Sequence, residues 1–219
     1  MWFPAKTPKV IKTVFPKFTW NIDTLEKALY LTFDDGPTPG ITPWVLEQLR
    51  AYNAKATFFC IGNNIEKHSK IFNAIIDNGH SVGNHSYNHL NGWKTNTTSY
   101  LKNVDRCQSS ISTFIQNSDY VLENLYRPPY GKLKPAQAKQ IRLQGYKIIM
   151  WDVLSYDWDA SVSEKQCFKN VTESANKGSI IVFHDSYKAE RNLKSVLPKV
   201  LKFYSEKGFE FRNLNQTYS

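Results

Sequence analysis

The sequence predicts an α/β fold on a largely parallel sheet, wound open or closed into a barrel, and three observations carry the prediction. Short apolar runs of strand length alternate with segments of helical spacing from about residue 28 onward. Residues able to do chemistry stand directly after those apolar runs rather than at random. In parallel sheets the loops after strand C-termini gather at one end, where ligands bind. Composition agrees: 219 residues, 41% hydrophobic and 21% charged, suit a folded chain with a real core.

Residues 1–27 read as an irregular lead-in, with Pro4, Pro8 and Pro16 among Lys6, Lys9, Lys12 and Lys17, strapped onto the domain, a membrane-surface role for the arm being the weaker alternative. The first strand is Leu29-Tyr30-Leu31-Thr32-Phe33. A helix follows, with Thr42 as cap, Pro43 at its first position, and Val45, Leu46 and Leu49 turned inward. A second strand over residues 56–61 leads to one helix carrying Ile65, Ile71, Phe72, Ile75 and Ile76, stopped at Asn78-Gly79. Ser81-Val82-Gly83 is a short strand, and Leu101, Val104, Ile111 and Ile115 mark a longer helix. Asn124-Leu125-Tyr126, a helix from Pro135, and a strand over 146–150 come next. Ser163 and Gln166 form a capping box for a helix carrying Phe168 and Val171 and ending near Gly178. Residues 180–183 are a buried-type strand. Leu193, Val196, Leu197 and Val200 define the last helix, which Pro198 should kink or break. Residues 209–211 close the set.

Lys and Arg total 28 against 19 Asp and Glu, a net +9. The excess is scattered, so it reads as a solvated surface and no nucleic-acid partner is expected. Aromatic residues at 14% suit a sugar groove, though most belong in the core. Cys60, Cys107 and Cys167 form no CxxC pair and read as free thiols. No apolar run approaches the ~20 residues that span a bilayer. Nor is a secretory signal visible, which reads as cytoplasmic while leaving action at the cell envelope open.

Five polar clusters follow the strands. Asp34-Asp35-Gly36-Pro37 alone would be a surface turn. Adjacent carboxylates point different ways, however, so one can hold a cation while the other takes a proton. His85 and His89 are four apart, which on a helical turn places both imidazoles on one face. With a carboxylate from a neighbouring strand end they make a two-histidine, one-carboxylate site. His68 and His80 read as structural or exposed. Arg127-Pro128-Pro129-Tyr130-Gly131 is a rigid proline turn that could also aim a backbone N–H inward, its arginine gripping a carboxylate. The fourth cluster runs from Trp151-Asp152 to Asp157-Trp158. His184 could be a core histidine, but beside a metal site it reads as a general acid.

Taken in order, these residues resemble the five motifs of the polysaccharide deacetylases of carbohydrate esterase family four, the NodB homology domain. Thr32-Phe33-Asp34-Asp35-Gly36-Pro37 and His85-Ser86-Tyr87-Asn88-His89 match most closely, and the resemblance runs from about Leu29 to the C-terminal strand. It implies a distorted (β/α) barrel of seven strands, with residues 28–219 as the catalytic domain. It also implies that Asp35, His85 and His89 hold a metal and that Asp34 is the base, steered by Arg127. The Tyr130 N–H would help hold the oxyanion, and Asp157 would tune a catalytic partner. Trp158 would wall the groove, Val182 would line the acetyl pocket, and His184 would be the acid. Two positions depart from the pattern: Leu154 stands where an aspartate is usual, and Val182 where leucine is usual. These departures bear on sugar and acyl preference and on the tuning of His184.

The implied activity is hydrolysis of acetyl groups from an N-acetylated, or O-acetylated, polysaccharide or oligosaccharide. One divalent cation serves it, zinc by default, with cobalt, nickel or others able to bind the same donors. Asp34 would take the water proton and His184 would protonate the departing amine. A monomer is expected. The rival readings are an inactive sugar-binding homologue, a hydrolase of small cyclic amides or formamides, and a non-haem iron site using the same triad.

Overall fold

The computed structural model describes residues 4–115 and 120–217; the first three residues of the lead-in lie outside them. In chain order the elements are α1 (Lys9–Val14), β1 (Ala28–Asp34), α2 (Thr42–Ala51), β2 (Ala56–Cys60), α3 (Gly62–Lys67), α4 (Ser69–Asp77) and β3 (Ser81–Asn84). There follow α5 (Thr97–Ile115), β4 (Leu125–Tyr126), α6 (Pro135–Leu143), β5 (Lys147–Ile148), β6 (Val153–Leu154), α7 (Glu164–Thr172), β7 (Ile180–His184), α8 (Glu190–Glu206) and β8 (Glu210–Phe211). Seven strands run parallel in one curled sheet, in the order β5-β4-β3-β2-β1-β7-β6. Helices surround it, giving a half-barrel of the (β/α) kind.

β1 is central and buried at every position, so its apolar run shows no alternation. Its side chains, with those of β2 and β7, form the core, where Phe33 stacks between Phe58 and Phe183. β8 pairs only with the first residues of β1, off the main path.

The lead-in departs from the irregular strap that was expected. It contains α1, and its flanks run along the gap between β5 and β6. Thr19 exchanges backbone hydrogen bonds with Ile148 and Met150, while Thr7 donates to Asp152 and Ala5 accepts from Leu154.

Several local expectations need correction. Thr42 is not a cap: Ile41 holds that position, and the Thr42 hydroxyl accepts from the Thr38 N–H and donates to Asp185. The helix expected from Ile65 to Ile76 is broken at His68 (φ −131°, ψ 44°). The break lets α3 face α5 while α4 packs on α2 and β3. α7 ends at Thr172, well before Gly178. α8 continues through Pro198, because Leu193, Val196, Leu197, Val200, Leu201 and Tyr204 are buried along one face and outweigh one missing hydrogen bond. β6 was not foreseen. All three cysteines are free and buried.

Candidate metal centre and active site

Each functional side chain sits at or just past a strand C-terminus. Asp34 ends β1, in register with His184 at the end of β7 and with Phe59 of β2. The fully buried Arg127 follows β4 and donates from Nη1 to Asp34 Oδ1 and to Thr32 Oγ1, both at 2.7 Å. Its Nε and Nη2 donate to the carbonyls of Ile149 and Met150, and its guanidinium lies 4.1 Å from the centre of the Phe59 ring. A buried charge needs this density of partners. Burial by itself pushes the Asp34 carboxyl up, but Arg127, then His85 and His184, more than offset it and hold the group below its ordinary value. Asp34 is therefore ionised at neutral pH.

Asp35 has φ 81°, which turns its carboxylate away from that of Asp34. Its Oδ1 lies 3.2 Å from His89 Nε2 and 3.7 Å from His85 Nε2. All three donor atoms fall within 4.8 Å of one another. The expected helical turn is absent, however. His85 follows β3 directly, and the pair is brought to a ring separation of 5.0 Å by left-handed residues, Ser86 (φ 61°) and His89 (φ 53°). Asn84 and Asn103 hold this bend, their side-chain oxygens accepting from the N–H groups of Ser86 and of Tyr87 and Asn88.

Three observations fit the trio to a cation. Asp35 Oδ1 is buried with no hydrogen-bond partner, a costly state that a bound ion would relieve. His85 Nδ1 lies 2.8 Å from the Arg127 carbonyl, which fixes the proton there and leaves Nε2 as a bare donor toward Asp35. Burial pushes both imidazoles down, His89 to about 4 with His85 contributing, so both are neutral as metal ligands must be.

On the other side of Asp34, Asp157 grips His184 twice. Its Oδ1 lies 2.9 Å from Nδ1, and its Oδ2 accepts from the His184 backbone N–H at 2.7 Å. Burial alone would lower the imidazole, but Asp157, helped by Asp35 and Asp34, raises it to about 9. Nε2 is left to face the site as a proton donor. Trp158 packs edge-on against His184 at 4.7 Å and stacks on Tyr156. Leu154, the departure from the family pattern, is a buried core residue of β6 paired with Val182, so among the described residues the carboxylate on His184 comes from Asp157.

Tyr130 occupies a tight turn (φ 60°) with its ring 4.5 Å from that of His89. The glycine after it is required, because a Cβ at Gly131 would meet Trp151 at 2.5 Å. Val182 lies one layer beneath His184 on the same strand face and is buried. A groove of about 320 Å³ adjoins Asp35 and His89, bordered by Thr38, Asn64, His68 and Tyr187. His68 thus sits at the groove. His80 is structural, accepting from the Ala56 N–H.

Two supporting residues escaped the sequence reading. Asn64 donates to the Asp35 carbonyl at 2.8 Å. Asp185, fully buried, accepts from the Gly36 N–H at 3.0 Å and from Thr42, fastening the Asp35 turn to β7. Burial, then the Asp35 charge, raises its carboxyl to about 8, against the hydrogen bond from Thr42. The only sequence signal was an acid directly after His184.

A family model described as polysaccharide deacetylase matches residues 21–149. A peptidoglycan-N-acetylglucosamine deacetylase of Bacillus cereus is 28% identical over 90% of this chain and 91% of its own length. The peptidoglycan-N-acetylmuramic acid deacetylase PdaC of Bacillus subtilis is 29% identical over 90% of this chain, which spans only 40% of that relative. Among solved structures, a peptidoglycan N-acetylglucosamine deacetylase bound to an N-oxidanyl-benzamide superposes with a TM-score of 0.86 at 30% identity, covering 96% of both chains.

Proposed function

The chain belongs to the polysaccharide deacetylase family, and from that premise we propose that it removes the N-acetyl group from amino sugars of a peptidoglycan-type glycan, using one divalent cation held by Asp35, His85 and His89. The observation that carries the reading is the placing of an ionised carboxylate, Asp34, and a raised imidazole, His184, on paired strand positions beside that trio. Two nitrogens and one carboxylate suit zinc, and cobalt or nickel also accept such donors. Bound there, the cation would polarise the acetamide carbonyl and acidify a water molecule.

The chain's own groups supply the rest. Asp34 takes the proton from the attacking water, with Arg127 occupying Oδ1 and so leaving Oδ2 for that role. The Tyr130 N–H donates to the oxygen as negative charge develops on it, a contact of the kind worth about 3 kcal/mol. His184 gives its Nε2 proton to the departing sugar nitrogen, and Asp157 keeps it charged until then. Trp158 and Val182 wall the acetyl side of the pocket. The proton count closes when the proton on Asp34 returns to His184 through solvent and the proton of the released acetic acid passes to the sugar amine, leaving acetate and a sugar ammonium.

Metal analysis together with acetate release from peptidoglycan fragments and chitooligosaccharides tests the reading. Asp34→Asn is expected to keep the metal and lose at least about 10²-fold in turnover, whereas His85→Ala loses both. Full turnover in Asp34→Asn would reject the base. Turnover of formamides or cyclic amides without acetate release from any glycan would replace the substrate class.

A further inference from the structure

We propose that the outward face of α1 is a docking surface for an anionic phospholipid bilayer. The helix is mounted inside out. A surface helix ordinarily turns its apolar stripe to the core, yet no residue of α1 is buried. Val10, Ile11 and Val14, with Phe15 next, share one side and are 64%, 37%, 61% and 45% exposed. The polar side does the fastening. Lys12 reaches inward to Asp152 and Asn21, and Lys6 reaches the same Asp152 and the Ser174 carbonyl. Phe15 is braced by stacking on Phe18 at 5.6 Å and by the Trp20 indole, which donates to its carbonyl. The apolar patch is therefore held out to solvent by a rigid mount.

Charge selects the occupant. Residues 1–22 carry four lysines and no acidic residue. Lys6 and Lys12 share one carboxylate, and Lys9 and Lys17 stand exposed beside the apolar face. A basic rim around an apolar patch complements acidic headgroups over acyl chains. A second copy of the chain fits poorly: a two-fold contact would set lysines against lysines, and one short helix falls far below the ~800 Å² per partner of a stable interface. α1 is anchored at the N-terminal end of β7, through Asp152 and the Asn21–Ser179 bridge. The metal centre lies at the other end of that strand, about 17 Å away at ~3.3 Å per residue. A docked molecule would turn its catalytic mouth away from the lipid.

Co-sedimentation of the full chain with phosphatidylglycerol-rich vesicles and with phosphatidylcholine vesicles tests this. Binding is expected to the first only, and to fall as salt rises from about 0.1 M to 1 M. Lys9→Ala with Lys17→Ala should weaken it about 25-fold, about fivefold for each lysine. Val10→Ser with Val14→Ser should weaken it at least about tenfold, with melting temperature and acetate release from soluble oligosaccharide unchanged. Three results would each overturn the proposal: no binding by the parent chain, equal binding by the serine variant (a mere polyanion site), or a parent dimer that the serine changes dissociate.

Discussion

Asp157→Asn removes the charge that holds the His184 proton while preserving the shape of the side chain. The imidazole stands at about 9 against an ordinary 6.5, an interval worth about 3 kcal/mol at 1.36 kcal/mol per pH unit. Burial opposes the charged ring and Asp35 and Asp34 support it, with Asp157 the largest of the raising influences. In the variant His184 should titrate well below 9. Nuclear magnetic resonance of the ring in metal-free protein reads this directly, and the alkaline limb of kcat/KM should move down with it. Linkage gives a second readout. A histidine raised on folding contributes stability that is fully present below pH 6.5 and is lost as pH climbs through 9. Metal-free parent protein should lose about 10 °C more of melting temperature across that window than Asp157→Asn, at roughly 2–4 °C per kcal/mol for a chain of this size, because the loss from Asp185, raised to about 8, is common to both. A ring that still titrates near 9 in the variant would refute the argument that this carboxylate sets the acid.

Two further substitutions probe the scaffold. Gly36→Ala would place a Cβ 2.0 Å from Asp185 Oδ2, so the turn must shift and metal affinity should fall at least about tenfold, measured by calorimetric titration. Arg127→Met leaves Asp34 buried and unpaired: denaturant unfolding at pH 7 should show a loss of about 3–5 kcal/mol. The Asp34 carboxyl, now governed by burial, should rise above its ordinary value, carrying the acid limb of the rate profile upward.

The strands that build the rim were legible because β1, β2 and β7 are apolar runs buried on both faces. β6 was not, since two residues between Asp152 and Ser155 carry no periodicity and form a strand only by pairing with β7. The break at His68 has no proline or glycine to announce it and arises from what α3 and α4 each pack against. The His85–His89 spacing pointed to the right pair for the wrong local reason: a left-handed bend, not a helix, aligns them. Asp185 was invisible because its partners, Gly36 and Thr42, lie more than 140 positions away in sequence. In the lead-in, expected to be irregular throughout, α1 carries Val10, Ile11 and Val14 facing outward, while Trp20 is buried.

Asp34 and His184 are register partners on adjacent parallel strands, and the Asp185 N–H beyond them donates to the Asp34 carbonyl at 3.1 Å. The span between proton acceptor and proton donor is thus inherited from the lattice of peptide groups, about 4.8 Å from one chain to the next. A caliper made of main chain does not change when neighbouring side chains are replaced. Loops bearing Thr38 and Tyr187 can be rewritten for polymers of other bulk or decoration, and the jaws that close on the amide keep their opening.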